Sequence, residues 1–162
     1  DKMRKIIPIL LLTILTMVGC STLDCPLNNT VYTKYKLDGT VTELTSCTMT
    51  VSTTKRDGED SILINKDENV DSFILPMSYA NSADTLYFEV QDRLERVFKD
   101  TVIVAKDNQP HFESIDCSPS YFHTITGVKT TQHLIDSIVI NHKDVNFDAT
   151  KTHFLIYFGT RE

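Results

Sequence analysis

The chain has 162 residues, enough for one domain with a buried core, and its 41% hydrophobic content excludes a disordered chain. Its 16 basic and 22 acidic side chains give a formal net charge of -6, which argues against nucleic-acid binding because that function usually needs a basic surface. Five glycines and five prolines are too few for a collagen-like or low-complexity chain.

The first twenty residues have the features of an export signal, in the expected order. Three basic residues near the start precede an apolar run over residues 6–18. This run is too short to span the roughly 30 Å hydrocarbon core of a bilayer, but it fits a signal peptide. Residues 17–20 (MVGC) resemble the lipobox of bacterial lipoproteins. The resemblance implies that residues 1–19 are removed and that Cys20 carries acyl chains.

The domain organisation follows from this start. Residues 1–19 are predicted to be the signal peptide, residues 20–29 the lipidated cysteine with a tether, and residues 30–162 a single domain. An acidic domain is not drawn to an anionic membrane surface, so the acyl chains alone would hold it there.

From residue 31 onward, apolar and polar residues alternate in one segment after another, which is typical of half-buried strands. The alternating sets are, in chain order, Val31, Thr33, Tyr35 and Leu37; Cys47, Met49 and Val51; Ile62 and Ile64; Phe73 and Leu75; and Leu86, Phe88 and Val90. Residues 90–99 fit either a short helix or a strand, a charged turn and a second strand.

The second half of the chain continues the strand pattern. Residues 101–105 and 112–117 are predicted to form a hairpin around a polar turn at 106–109. Further strands are predicted over residues 121–128, 135–140 and 154–158. The last of these is apolar on both faces, so we expect it at the centre of the core.

These strands indicate an all-β fold with about 8–10 short strands. We predict an antiparallel β-sandwich of the immunoglobulin-like or Greek-key type, with a calycin-like barrel as the alternative. The sandwich is favoured because a lipocalin-like barrel normally opens with a Gly-x-Trp motif, and this chain has no Trp.

From residue 24 onward, seven segments in order resemble a family of small Bacteroidota cell-envelope lipoproteins of unknown function. They are DCP at 24–26, FILPM at 73–77, DTLYF at 84–88, DTVIV at 100–104, IDC at 115–117, IVIN at 138–141 and HFLIYF at 153–158. The resemblance implies an exported, lipidated, all-β domain. It brings no assigned activity and no catalytic residue.

Three cysteines remain besides Cys20, so at most one internal disulfide can form. The family resemblance implies a bridge between Cys25 and Cys117, and Cys25 with Cys47 is the alternative. Because Cys47 alternates with two apolar residues, it is predicted to be a small buried hydrophobe.

The sequence contains no recognisable catalytic or metal-binding motif. The five histidines form no HExxH pattern, and no nucleophile elbow or phosphate-binding loop is present. Asp67, Asn69 and Asp71 alternate like the start of a calcium loop, but Ser72 stands where that loop needs glycine, so an acidic turn is predicted. We therefore expect no enzymatic activity, no cofactor and no metal.

A short pattern of Asp, then Ser or Thr, then an aliphatic residue occurs four times. It resembles the three-residue O-glycosylation signal of exported Bacteroidota proteins. The acceptors would be Ser61, Thr85, Thr101 and Ser137. Alternatively, Asp-Ser and Asp-Thr mark the points where a turn passes into a strand.

The sequence thus favours a lipid-anchored protein of the cell envelope, on the periplasmic or surface face of the outer membrane, with a structural or protein-interaction role. The alternative is a glycan-binding or small-ligand-binding module of an outer-membrane uptake system. Without Trp, an aromatic binding platform would need Tyr32, Tyr79, Tyr87 or Tyr121, and Tyr79 is the best exposed candidate.

Overall fold

The structure is a computed structural model that describes residues 25–26, 29–55 and 58–159. The predicted signal peptide, Cys20 and the tether residues 21–24, 27 and 28 lie outside these residues. The described residues form ten strands and no helix. The strands are β1 (Tyr32–Asp38), β2 (Leu44–Thr54), β3 (Asp60–Val70), β4 (Ser72–Pro76), β5 (Ala83–Asp92), β6 (Val97–His111), β7 (Ser120–Thr130), β8 (Ile135–Ile140), β9 (Asp144–Val145) and β10 (Phe154–Phe158).

The strands form two sheets that pack face to face. One sheet has the order β4-β1-β10-β8, and the other has the order β3-β2-β5-β6-β7-β9. The predicted all-β sandwich is confirmed, since the sheets do not close into a barrel. In the part of the chain described here, no helix has the length and hydrophobicity needed to cross a bilayer.

One strand pair differs from the predicted antiparallel arrangement. β1 and β10 run parallel, with Tyr35 opposite Phe154 and Leu37 opposite Ile156. Only antiparallel neighbours can be joined by a tight turn, and these two strands are far apart in the sequence. β10 lies between β1 and β8, which confirms that the last strand is central.

The core is built around stacked aromatic rings. The Tyr35 ring stacks on Phe73 and Phe154, with centroid separations of 5.0 and 4.7 Å. Phe73 in turn meets Phe88 of the opposite sheet, 6.0 Å between centroids. Val31, Tyr35 and Leu37 are all buried, which confirms the face predicted for β1.

One predicted strand and two predicted turns are wrong. Residues 112–117 form no strand and belong to the loop between β6 and β7. The polar residues 106–109 lie inside β6, which pairs with β7 through this region with a register shift after Ala105. They looked like a turn because their side chains are polar, but Lys106 is buried and ion-paired. Asp67 and Asn69 likewise lie within β3, and the chain turns only at Asp71.

Residues 90–99 form a strand, a turn and a second strand, as the second alternative predicted. β5 ends at Asp92, whose carboxylate accepts the amide N–H groups of Leu94 and Arg96 at 2.9 and 3.0 Å. The same carboxylate accepts the Arg96 Nε–H at 2.7 Å. The Asp92 carboxylate thus provides the acceptor for the N–H groups of the turn, and the chain reverses direction through a turn instead of a helix.

A buried carboxylate holds the crossing from one sheet to the other. Asp100, on β6, is 4% exposed and accepts hydrogen bonds from Thr131 Oγ1 at 2.6 Å and from the amides of His133, Leu134 and Ile135 at 2.6–2.8 Å. Burial alone would raise the pKa of Asp100, but these hydrogen bonds outweigh it and lower the pKa below its usual value.

Replacing Asp100 by Asn should lower the free energy of unfolding by about 2–4 kcal/mol, because an amide N–H₂ would face donors that need an acceptor. Urea denaturation of the purified protein measures this loss. Thr101→Val is the matched control: it removes a predicted glycan acceptor, keeps the carboxylate and should change stability by less than about 0.5 kcal/mol. Equal losses in the two variants would contradict the role assigned to Asp100.

Candidate ligand pocket

The structure brings together two of the four tyrosines proposed as a binding platform. The rings of Tyr79 and Tyr121 stack with centroids 5.5 Å apart and planes 25° from parallel. Tyr79 is 68% exposed and lies after β4, whereas Tyr121 is near the start of β7. Tyr32 lies on β1 and Tyr87 lies on β5.

The tyrosine pair forms one wall of a pocket of about 370 Å³. This volume falls within the range of small-molecule sites. Val31, Met77 and Pro119 give the pocket apolar walls. Its polar groups come from Asn29, Thr30 and His123.

The pocket lies where several strand ends meet, at one end of the sandwich. β1 and β7 begin at this end and β4 finishes there, so the segments next to them converge. The Asn29 side chain donates to the Ser118 carbonyl at 3.5 Å and accepts from Ser120 Oγ at 3.3 Å. The Met77 amide donates to the Val31 carbonyl at 3.1 Å. These bonds join the N-terminal segment to the start of β7, which carries Tyr121, and to the segment after β4, which carries Tyr79.

A buried lysine holds the loop that carries Tyr79. The Lys106 ammonium donates to the Asn81 carbonyl at 2.5 Å and to Ser78 Oγ at 3.3 Å, and it lies 3.5 Å from Asp84 Oδ1. Ser78 Oγ donates to the Asp84 carboxylate. Burial lowers the pKa of Lys106, and the Asp84 charge offsets part of this effect.

No pattern used above predicted this network. The available signal was that Lys106 continues the inward-facing set of Val102 and Val104, so a charged side chain had to point into the sandwich. A buried charge of this kind requires a partner of opposite charge.

His123 contributes a neutral polar group to the pocket. Its Nδ1 lies 2.8 Å from Asn108 Oδ1, and Asn108 Nδ2 donates to the Asn81 carbonyl at 2.9 Å. This places the Asn108 oxygen as the acceptor and Nδ1–H as the donor. Burial, with a smaller effect from the Lys106 charge, lowers the pKa of His123 to about 4.

The four predicted glycan acceptors are dispersed over the two sheets. Ser61, Thr85, Thr101 and Ser137 are half-buried on β3, β5, β6 and β8. Two of the aspartates that precede them have structural partners: Asp84 pairs with Lys106, and Asp100 holds the sheet crossing. The pocket contains none of the four acceptors.

The structure places Cys25 and Cys117 in a disulfide, with Cα atoms 5.5 Å apart. This separation is within the usual range for such a bond. It is the pair that the family resemblance implied. Because Cys117 precedes β7 by three residues, the bond fixes the start of the described chain beside the pocket.

Cys47 is half-buried, not fully buried as predicted. It packs on the core side of β2, but near the end of the sandwich farthest from the pocket. Burial raises the pKa of its thiol, and the neighbouring Asp92 charge adds to the rise.

Cys47 lines a second cavity of about 500 Å³. The cavity is polar, with charges from Glu68, Asp92 and Arg93. It contains no aromatic ring, so it offers a ligand no stacking surface. Across residues 25–26, 29–55 and 58–159, no group of three or more His, Cys, Asp or Glu side chains could hold a metal ion.

Comparison with known proteins gives one match. The model of a family of unknown function, DUF6452, matches residues 48–158. The matched region runs from β2 through β10 and includes Tyr79, Tyr121 and His123. No curated protein and no solved structure is detectably similar to the chain.

The buried histidines should make stability depend on pH between about 6.5 and 4. In the unfolded chain a histidine titrates near 6.5, whereas His123 binds its proton only near pH 4 in the folded protein. The unfolded state therefore binds more protons in this window, and the free energy of unfolding falls as the pH falls. His153 contributes in the same direction, because burial lowers its pKa too.

His123→Gln keeps a donor for Asn108 but cannot titrate, so it should reduce the stability lost between pH 7 and pH 5 by up to about 2 kcal/mol. Urea denaturation at the two pH values measures the difference. Between pH 7 and pH 8 the variant and the wild type should differ by a constant amount. A variant with the full wild-type loss at pH 5 would rule out the role assigned to His123.

Proposed function

The chain belongs to DUF6452, a family of unknown function, and on that premise we propose that it is a non-catalytic binding domain of the cell envelope. Acyl chains on Cys20 would hold it at the outer membrane. Its pocket beside Tyr79 and Tyr121 would bind a sugar ring. In an outer-membrane uptake system, such a domain would capture a glycan close to the membrane.

The observation that carries this proposal is the stacked pair of tyrosine rings, in which Tyr79 is exposed and Tyr121 is half-buried. A sugar ring has a face of C–H groups, which packs against a flat aromatic surface, while its hydroxyl groups stay available for hydrogen bonds. Tyrosine suits such a contact because it combines an apolar ring with a polar hydroxyl group. The pair has this character, and Tyr79 is exposed enough to meet a ligand.

The polar groups of the pocket favour an uncharged ligand. Asn29 and Thr30 are neutral, and His123 is neutral at pH 7 because its pKa lies near 4. Lys106 and Asp84 compensate each other within 3.5 Å. Hydroxyl groups can use such neutral donors and acceptors, whereas a phosphate or carboxylate would find no unpaired cation among the described residues that line the pocket.

The pocket is also held rigidly, which reduces the entropy lost on binding. The contacts of Lys106 and Ser78 fix the loop that carries Tyr79. Hydrogen bonds of Asn29 fix the opposite side. The structural or protein-interaction role favoured by the sequence stays a prediction, and no feature as specific as the tyrosine pair supports it among the described residues.

Alanine in place of Tyr79 or Tyr121 should weaken saccharide binding about tenfold or more, because each removes one ring of the stacked pair. A glycan array with the wild-type protein first identifies the saccharides bound, and titration calorimetry then compares the variants. Tyr87→Ala is the matched control, because Tyr87 is an exposed tyrosine on β5, outside the pocket.

Two results would contradict the binding proposal. The array could show no saccharide bound by the wild-type protein, or both pocket variants could bind as the wild type does. A protein partner captured from envelope extract by all three variants alike would instead support the interaction role.

The proposed lipid anchor has a separate test. The full chain, expressed in a bacterium that processes lipoproteins, should incorporate an alkynyl fatty acid, and Cys20→Ser should abolish the labelling. Two or more acyl chains give a stable anchor, so protein that keeps Cys20 should stay with the membrane and Cys20→Ser should not. Cys47→Ser, which also removes one thiol, is the control and should be labelled like the wild type. Equal labelling of the two variants would exclude Cys20 as the anchor.

A further inference from the structure

We infer that the pocket end of the sandwich rests on the bilayer surface and that Phe112 and Ile115, in the loop between β6 and β7, insert into the interfacial region of the lipid. This inference rests on the lipid anchor proposed at Cys20. It adds an orientation for the domain and a second, non-covalent contact with the membrane.

Covalent reach limits how far the domain can lie from the bilayer. Cys20 precedes Cys25 by five residues, so the two Cα atoms can be at most about 18 Å apart. Cys25 is bonded to Cys117, which lies in the loop between β6 and β7. A lipid on Cys20 therefore keeps this loop within a short distance of the bilayer.

The loop between β6 and β7 also exposes two large apolar side chains. The Cys117 amide donates to the Ser114 carbonyl at 3.2 Å, which closes a turn with Ile115 at one corner. Ile115 is 96% exposed and Phe112 is 60% exposed. Both side chains belong to the eight-residue connection between β6 and β7, and neither is part of the hydrophobic core. Exposed apolar surface that stabilises no core is available for an interaction.

The charges of the loop indicate which lipid it fits. Glu113 and Asp116 flank Ile115, and the Glu113 carboxylate lies 3.0 Å from His111 Nε2. Acidic side chains are repelled by anionic headgroups. The loop therefore suits a surface of zwitterionic lipid, where the two apolar side chains can enter without that repulsion.

The opposite end of the sandwich supplies a matched control. β6 runs for 15 residues from the turn after β5 to this loop, a length of roughly 50 Å at strand rise. Leu94, in the turn after β5, is 74% exposed. It is thus an equally accessible apolar side chain, placed far from the anchor.

The chain has no Trp, so a single introduced indole reports on one position only. The experiment uses the full acylated protein in vesicles of phosphatidylcholine and phosphatidylethanolamine, with and without brominated acyl chains. For Phe112→Trp and Ile115→Trp, emission should move to shorter wavelength and lose roughly half its intensity with brominated lipid, as expected of an indole at the headgroup–acyl boundary. Leu94→Trp should show neither change.

Each outcome has a distinct meaning. If acylated protein floats with the vesicles but both loop variants behave like Leu94→Trp, the orientation is wrong while the anchor stands. If Cys20 carries no acyl group and the protein does not float, the proposed anchor fails, and the inference fails with it because nothing holds the loop at the bilayer. Far-ultraviolet circular dichroism identifies a misfolded variant. If one loop variant is misfolded, the fluorescence of the other loop variant tests the orientation.

Discussion

The buried carboxylate of Asp100 is the contact on which the arrangement of the two sheets depends. Its four hydrogen bonds hold residues 131–135, where the chain leaves β7 in one sheet and enters β8 in the other. β8 pairs with β10, and β10 pairs with β1, so the position of the smaller sheet follows from this crossing. Removing a carboxylate from water costs free energy, and hydrogen-bond donors offset this cost only when they lie at hydrogen-bond distance and point at the carboxylate oxygens. Residues 131–135 must therefore keep their positions around Asp100, which restricts the motion of the crossing.

A second buried charge orders the end of the molecule where the pocket lies. Lys106 is inside the sandwich because it has Asp84, Ser78 and the Asn81 carbonyl as partners. These partners belong to the segment that carries Tyr79, so satisfying the charge also positions the aromatic ring. The stacked tyrosines are therefore supported by a polar network beneath them, which gives the proposed binding surface a fixed shape before any ligand arrives.

The pocket, the disulfide and the exposed loop all lie at one end of the sandwich, so the two ends of the domain differ. Cys25 and Cys117 connect the start of the described chain to the loop that carries Ile115, and that loop leads directly into Tyr121. If lipid on Cys20 fixes this end to a membrane, the proposed ligand pocket lies next to the bilayer. The polar cavity that contains Cys47 then lies at the far end. The proposed functions thus belong to one surface of the molecule.

The sequence by itself determined the all-β class and the inward faces of β1 and β5, because alternation with period two is a local property of a half-buried strand. It also determined the central position of the last strand, because that strand is apolar on both faces. Only the tertiary structure decided that residues 106–109 continue a strand, since the partner that makes a buried Lys106 acceptable, Asp84, lies on another strand. The same holds for the stacking of Tyr79 on Tyr121 and the parallel pairing of β1 with β10. These contacts join distant parts of the chain, and their free energy exists only when both partners are in place, so no local pattern records them.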